Sequence, residues 1–138
     1  MCLYIDNKIH GPFRRIKKAK EDIVCYKVLR VYNKNLFTPY TADEVPSQIY
    51  KGELPMVSEP LKGRRFFRRI FHSEFIGEGY IHTFRVKQCA LNTVRYFERR
   101  GIETRIFECV IPKGTYYYQG IERDYASEQI IYKEELTE

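Results

Sequence analysis

Hydrophobic and polar positions alternate most clearly in EDIVCYKVLRVYNKN. There Val24, Tyr26 and Val28 interleave with Ile23, Cys25 and Leu29. A strand with apolar side chains on both faces belongs in the middle of a sheet. Asn33 to Asn35 read as the turn that ends it. A second run, IETRIFECVIPKGT, puts Phe107, Cys109 and Ile111 on one face, with Ile106 and Val110 on the other around Glu108. Pro112 stops that strand, and Gly114 supplies a permissive φ for the PKGT turn. Between these runs the period changes. In RVKQCALNTVRYFERRG, Val86, Cys89, Ala90, Val94 and Phe97 recur at i, i+3, i+4, i+8 and i+11, one face of a helix over about 86–100. Thr83 is placed to cap it, Arg99 and Arg100 suit its negative end, and Gly101 is a left-handed stop.

Weaker signals fill in the rest. CLYID reads as a short first strand and GPFRRIKKAK as a basic loop or arm. GYIHTF is a short strand entered through Gly77 and Gly79, and YYYQGIERDYASEQIIYKEE gives two further strands around a glycine loop. Residues 36–60 hold Pro39, Pro46, Pro55 and Pro60, which exclude long helices and central strands, with SQIYKGEL as a short edge strand. Strands, one good helix and strands again predict an α+β fold: a single domain over 1–138, mostly antiparallel sheet with one main helix and a Pro-rich irregular insertion at about 36–60.

Composition narrows the function classes. At 138 residues, 43% hydrophobic and 30% charged, the chain is long enough for one core. Twelve Tyr and nine Phe without Trp suit half-wet strands or a ligand surface. A net charge of +6 and a pI near 9.1 permit an anionic partner. The four cysteines, Cys2, Cys25, Cys89 and Cys109, form no CxxC and stand at no zinc spacing to histidine. They are expected to be reduced, no metal site is expected, and the compartment is read as cytoplasmic. The N-terminal run lacks the apolar stretch of a signal peptide, and no apolar run approaches a membrane span. Nucleotide loops, metalloprotease helices and nucleophile elbows are absent from the sequence.

Two groups of residues carry candidate chemistry. In LKGRRFFRRIFHSEF, Arg64, Arg65, Arg68 and Arg69 surround Phe66 and Phe67. Arginine contacts phosphate and Phe stacks on bases, so this segment is the candidate surface for an anion or nucleic acid. A plain amphipathic element, strand or helix, is the structural alternative. Arg30 sits in an apolar strand, where it calls for a carboxylate, a phosphate or a route to solvent. His82 is a candidate acid or base if a carboxylate stands near, and Glu128 is one such neighbour. His10 and His72, in basic surroundings, read as surface residues.

Taken together, KAKEDIVCYKVLR, GEGYIHTF, CVIPKGTYYYQG and YASEQIIY resemble a group of small, functionally uncharacterised bacterial and phage proteins, over about residues 18–132. More distantly the chain resembles the ADP-ribosyltransferase fold. That resemblance implies NAD held by a strand ending in Arg or His, then a Ser-Thr-Ser strand and helix, then a Glu-x-Glu strand after a PKGT-like turn. Arg30, His82–Phe84 and Ser127–Ile130 would occupy those places. Of the Ser-Thr-Ser set only Thr83 is present. With Glu128 as the first Glu, Ile130 fills the catalytic place; with Glu128 as the catalytic Glu, Ala126 fills the first. The leading expectation is therefore a non-enzymatic protein without a cofactor. It would bind a nucleotide-like ligand, nucleic acid or an acidic protein surface. A transferase-like, NAD-using protein using Arg30, His82 and Glu128 is the alternative, and a purely structural interaction protein the third.

Overall fold

The computed structural model describes residues 3–32, 35–37, 54–58, 75–76 and 80–136. The N-terminal strand β1 (Leu3–Tyr4) leads through Asp6, whose carboxylate accepts the Lys8 N–H, into a single helical turn, α1 (Asn7–His10). Gly11, at φ +77, ends it. The basic stretch that follows is a turn and a two-residue edge strand, β2 (Lys17–Lys18). Exposed lysines suit an edge, since they discourage another chain from pairing there.

The long strand β3 (Ile23–Tyr32) is central, as its two apolar faces predict. It pairs along most of its length with β8 (Thr104–Ile111) and at its end with β4 (Asn35–Phe37). Asn35 is a strand residue opposite Tyr32, and residues 33 and 34 lie outside the described set. Edge strand β5 (Met56–Ser58) follows the expected SQIYKGEL position, most of which is not described. Next come β6 (Phe75–Ile76), paired with β1, then β7 (Ile81–Phe84) and helix α2 (Lys87–Glu98). The last segment forms three strands rather than the expected two: β9 (Tyr116–Gln119), β10 (Asp124–Ser127) and β11 (Ile130–Leu136). Among the described residues every pairing is antiparallel.

The main sheet runs β2-β9-β10-β7-β3-β8-β11-β5, with β4 added to β3. Strands β10 and β11 are separated by β7, β3 and β8, yet only Glu128 and Gln129 join them. So short a link cannot cross three flat strands spaced about 4.8 Å apart, so the sheet must curl on itself. Its concave face explains the core. Cys25 and Leu29 of β3, Phe107, Cys109 and Ile111 of β8, Tyr125 of β10, and Ile130 and Tyr132 of β11 form one buried cluster. Phe107 and Tyr132 meet edge to face, with ring centroids 5.5 Å apart.

The opposite face has two separate covers. Helix α2 lays Ala90 and Val94 over Val28 and Ile106, with Tyr26, Phe84 and Leu136 at the margin. The N-terminal segment lays Leu3 and Ile5 over Tyr118 and Ala126, beside Tyr80. Helix α2 begins at Val86, whose backbone is extended and whose side chain caps nothing. Thr83 does not cap the helix. It lies buried in β7 opposite Tyr125, because the strand continues through Phe84. The far end matches expectation. Gly101 at φ +72 lets its own N–H reach Glu98 O (2.9 Å) and the Ile102 N–H reach Phe97 O (3.0 Å), satisfying carbonyls the helix leaves open. In the PKGT turn Gly114 takes φ +90 and Thr115 N–H donates to Pro112 O.

Candidate functional site

Arg30 and His82 come from β3 and β7, neighbours in the sheet, and Glu128 follows directly on β10, the next strand after β7. Tyr26 faces Phe84 in the β3–β7 pair, and Ala126 faces His82 in the β7–β10 pair. Side chains alternate along each strand, so Val28 and Arg30 share the face of Tyr26, and His82 shares the face of Phe84. Arg30 and His82 therefore belong to the α2 side of the sheet. Glu128 lies beyond the last residue of β10, and its N–H donates to Tyr116 O. Alternation does not carry on through Glu128, because Ala126 packs on that side and Ile130 in the concave core. His82 occupies the strip between the two covers of that face, with Phe84 under α2 and Tyr80 under the N-terminal segment.

The β3–β7 ladder is registered at one pair only, Tyr26 with Phe84. Beyond it the strands part, and a side chain replaces the backbone donor. Lys27 is buried, and its Nζ donates to the His82 carbonyl at 2.7 Å. A buried ammonium needs such partners, because transfer out of water without them is costly. Lys27 is a lone cation between Cys25 and Leu29 on the apolar face, and that interruption was the available sequence signal.

At the far end of β3, Arg30 lines a surface cavity of about 500 Å3. Its described walls are Arg30, Val31, Tyr32, Phe37 and the Gly101–Glu103 turn that follows α2. Arg30 is registered against Thr104 and Phe37, which keeps the cation beside an aromatic ring. Tyr32 and Phe37 meet edge to face at 6.4 Å, and Tyr32 is 68% exposed. Val31 N–H donates to Glu103 O at 2.9 Å and fixes the turn to the strand. The wall thus combines one guanidinium, two aromatic rings and one carboxylate. Neither His82 nor Glu128 is among its described lining residues. Tyr32 and Phe37 carried no sequence signal, because their meeting depends on β4 folding back on β3.

The candidate anion segment Arg64, Arg65, Phe66, Phe67, Arg68 and Arg69 lies outside the described residues, as does His72. His10 is buried, not at the surface. Its Nδ1 donates to Arg15 O at 2.8 Å, and its Nε2 accepts the Gln119 N–H at 2.7 Å. The ring also packs on Tyr118 at 5.2 Å. Burial holds its pKa below 6.5, and nearby Lys17 acts the same way. It joins α1 to β9 and has no open nitrogen for chemistry. Asp124 is buried at the start of β10, with Oδ1 lacking a hydrogen-bond partner among the described residues. Burial raises its pKa to about 6, aided by Glu122 and opposed by backbone N–H groups and Arg85. Cys25 and Cys109 face each other across β3 and β8, both fully buried. Burial pushes Cys25 to about 12 and Cys109 well above its ordinary value, so neither is a ready nucleophile.

Among the described residues no group of three or more His, Cys, Asp and Glu could hold a metal ion, and no helix is long and apolar enough to cross a membrane. Comparison of the chain with protein-family models, with curated proteins and with solved structures finds no match.

Proposed function

We propose that the protein is a cytoplasmic binder of an anionic, nucleotide-like ligand, and that Arg30 meets its phosphate. The observation that carries this reading is the composition of the cavity wall. Arg30, Tyr32, Phe37 and Glu103 line the cavity together. Arginine suits phosphate through paired N–H donors, the exposed Tyr32 ring offers a stacking face, and a carboxylate suits ribose hydroxyls. The arginines at 64, 65, 68 and 69 would add positive potential to the same preference, with Phe66 and Phe67 as further stacking groups. Titration calorimetry with AMP, ADP and NAD over a salt series tests it. Binding that weakens with salt and falls at least tenfold in Arg30→Ala is the expected result, and binding indifferent to both salt and Arg30 overturns it.

One observation favours a second reading, an NAD-using protein of the ADP-ribosyltransferase kind or its inactive relative. Arg30 and His82 lie on one side of the neighbouring strands β3 and β7, and Glu128 follows directly on the adjacent β10. Incubation with NAD and assay of released nicotinamide separates the cases. Release that is lost in Glu128→Gln and His82→Ala supports the enzyme. Binding of NAD without release supports the inactive relative, and no NAD binding removes both.

A further inference from the structure

The solvent face of α2 is unlike that of an ordinary surface helix. Gln88, Asn92, Arg95 and Arg99 follow one another at i, i+4, i+7 and i+11, and all four are exposed. At 3.6 residues per turn they fall within about 60° of each other. They lie opposite the buried Ala90, Val94 and Phe97. Gln88 Nε2 donates to Asn92 Oδ1 at 2.9 Å, which aligns the two amides. Glu98, the one carboxylate on the helix, lies about a quarter-turn away from this stripe. Neither Arg95 nor Arg99 has a carboxylate partner among the described residues. Beside the stripe, Tyr96 is 46% exposed, and the Arg100 guanidinium stands 3.9 Å from its ring centroid.

The stripe also leads somewhere. Helix α2 stops at Gly101, and Gly101, Ile102 and Glu103 are a wall of the Arg30 cavity. Arg99 and Arg100 immediately precede that wall in the chain, and Arg95 lies about 6 Å further back along the helix. That rise is comparable to one nucleotide step of an extended strand. The path offers cations for phosphates and, at Tyr32, an exposed ring for a base.

We infer that the ligand is a single-stranded nucleic acid, one nucleotide seated in the Arg30 cavity and the next phosphates crossing Arg99 and Arg95 on α2. This rests on the cavity reading above and extends it from a nucleotide to a polymer. A single strand fits better than a duplex, because only an unstacked base can enter the cavity or lie on a tyrosine. An acidic protein would use the arginines but would leave the aromatic cavity without a role.

The test uses the whole chain with fluorescently labelled oligothymidylates of two, four and eight nucleotides, and with the mononucleotide by calorimetry. Affinity is expected to rise at least tenfold from mononucleotide to octamer. Arg95→Ala/Arg99→Ala is expected to remove that gain and to lower the octamer's salt slope by about 1.4, or about 0.7 per lost phosphate contact. Both arginines are exposed, and a thermal melt confirms that the variant folds. An octamer that binds no tighter than a mononucleotide, or an unchanged slope in the variant, overturns the inference while the cavity reading stands. Polyglutamate that competes as well as the octamer assigns the stripe to acidic proteins and also overturns it. Absence of binding by both mononucleotide and octamer removes the cavity reading as well.

Discussion

His10 and Asp124 are buried titratable groups with opposite consequences for stability. His10 must stay neutral to accept the Gln119 N–H, and its pKa lies below the ordinary 6.5. The unfolded chain takes up its proton first as pH falls. The contribution of His10 is therefore complete above 6.5 and is lost as pH drops from there through the lowered folded value. Asp124 behaves the other way. Its folded pKa, about 6, lies above the ordinary 3.8, so stability falls as pH rises from 3.8 to about 6. That gap corresponds to ~3 kcal/mol. Urea midpoints from pH 4 to 8 should show Asp124→Asn gaining on the native chain as pH rises through this window. Parallel curves would show that Asp124 is not buried as described. Gly120 belongs to the same corner. A Cβ there would overlap the Asp124 carboxylate and come within 2.7 Å of the Leu3 side chain. Gly120→Ala should destabilise the fold by about 1–3 kcal/mol in the same assay.

Between elements, the β3–β7 seam rests on Lys27 more than on a ladder. Replacing Lys27 with Met leaves the His82 carbonyl without its charged donor. A loss of about 1.5–3 kcal/mol is expected in denaturant unfolding, with faster amide exchange in β7 than in β8. Uniform exchange across both strands would mean that the seam is held elsewhere. Helix α2 offers a simpler case. Nothing lies within 4 Å of a Cβ built on Gly101, so Gly101→Ala carries only the backbone cost of φ +72. That cost is about 1–2 kcal/mol. The helix was legible in sequence because its period, its arginines and its terminal glycine agree. Its start was not. Thr83 has the chemistry of a cap, but cross-strand pairing with Tyr125 keeps it in β7 and buries it.

At the scale of the molecule, the curl that lets two residues join β10 to β11 encloses Cys25 and Cys109 in the concave core. Both thiols are buried and are held above their ordinary pKa values. Among the three described cysteines, labelling by a disulfide reagent in native buffer should therefore reach the half-buried Cys89 first. Cys25 and Cys109 should label only as fast as the whole domain opens, with a urea dependence equal to that of global unfolding. Rapid, urea-independent labelling of Cys25 would show that the sheet is not closed over it.

Local order is legible in the chain alone. It comprises the two-faced strand through Ile23–Leu29, the alternating strand at Ile106–Ile111, the amphipathic helix with its stop at Gly101, and the glycine turn at Gly114. Each rests on a period or on a single residue's φ, and both are local properties of the chain. Tertiary structure decided which candidates meet. His10, read as a surface residue, is buried because α1 packs on β9. The final segment is three strands because its middle pairs with β7 and its end with β8. Arg30 and His82 share one side of the sheet, with Glu128 just past the next strand, only through the order β10-β7-β3. Tyr32 and Phe37 meet at Arg30 only because β4 folds back on β3. Strand order and register link positions far apart in the chain, and no local pattern carries that information.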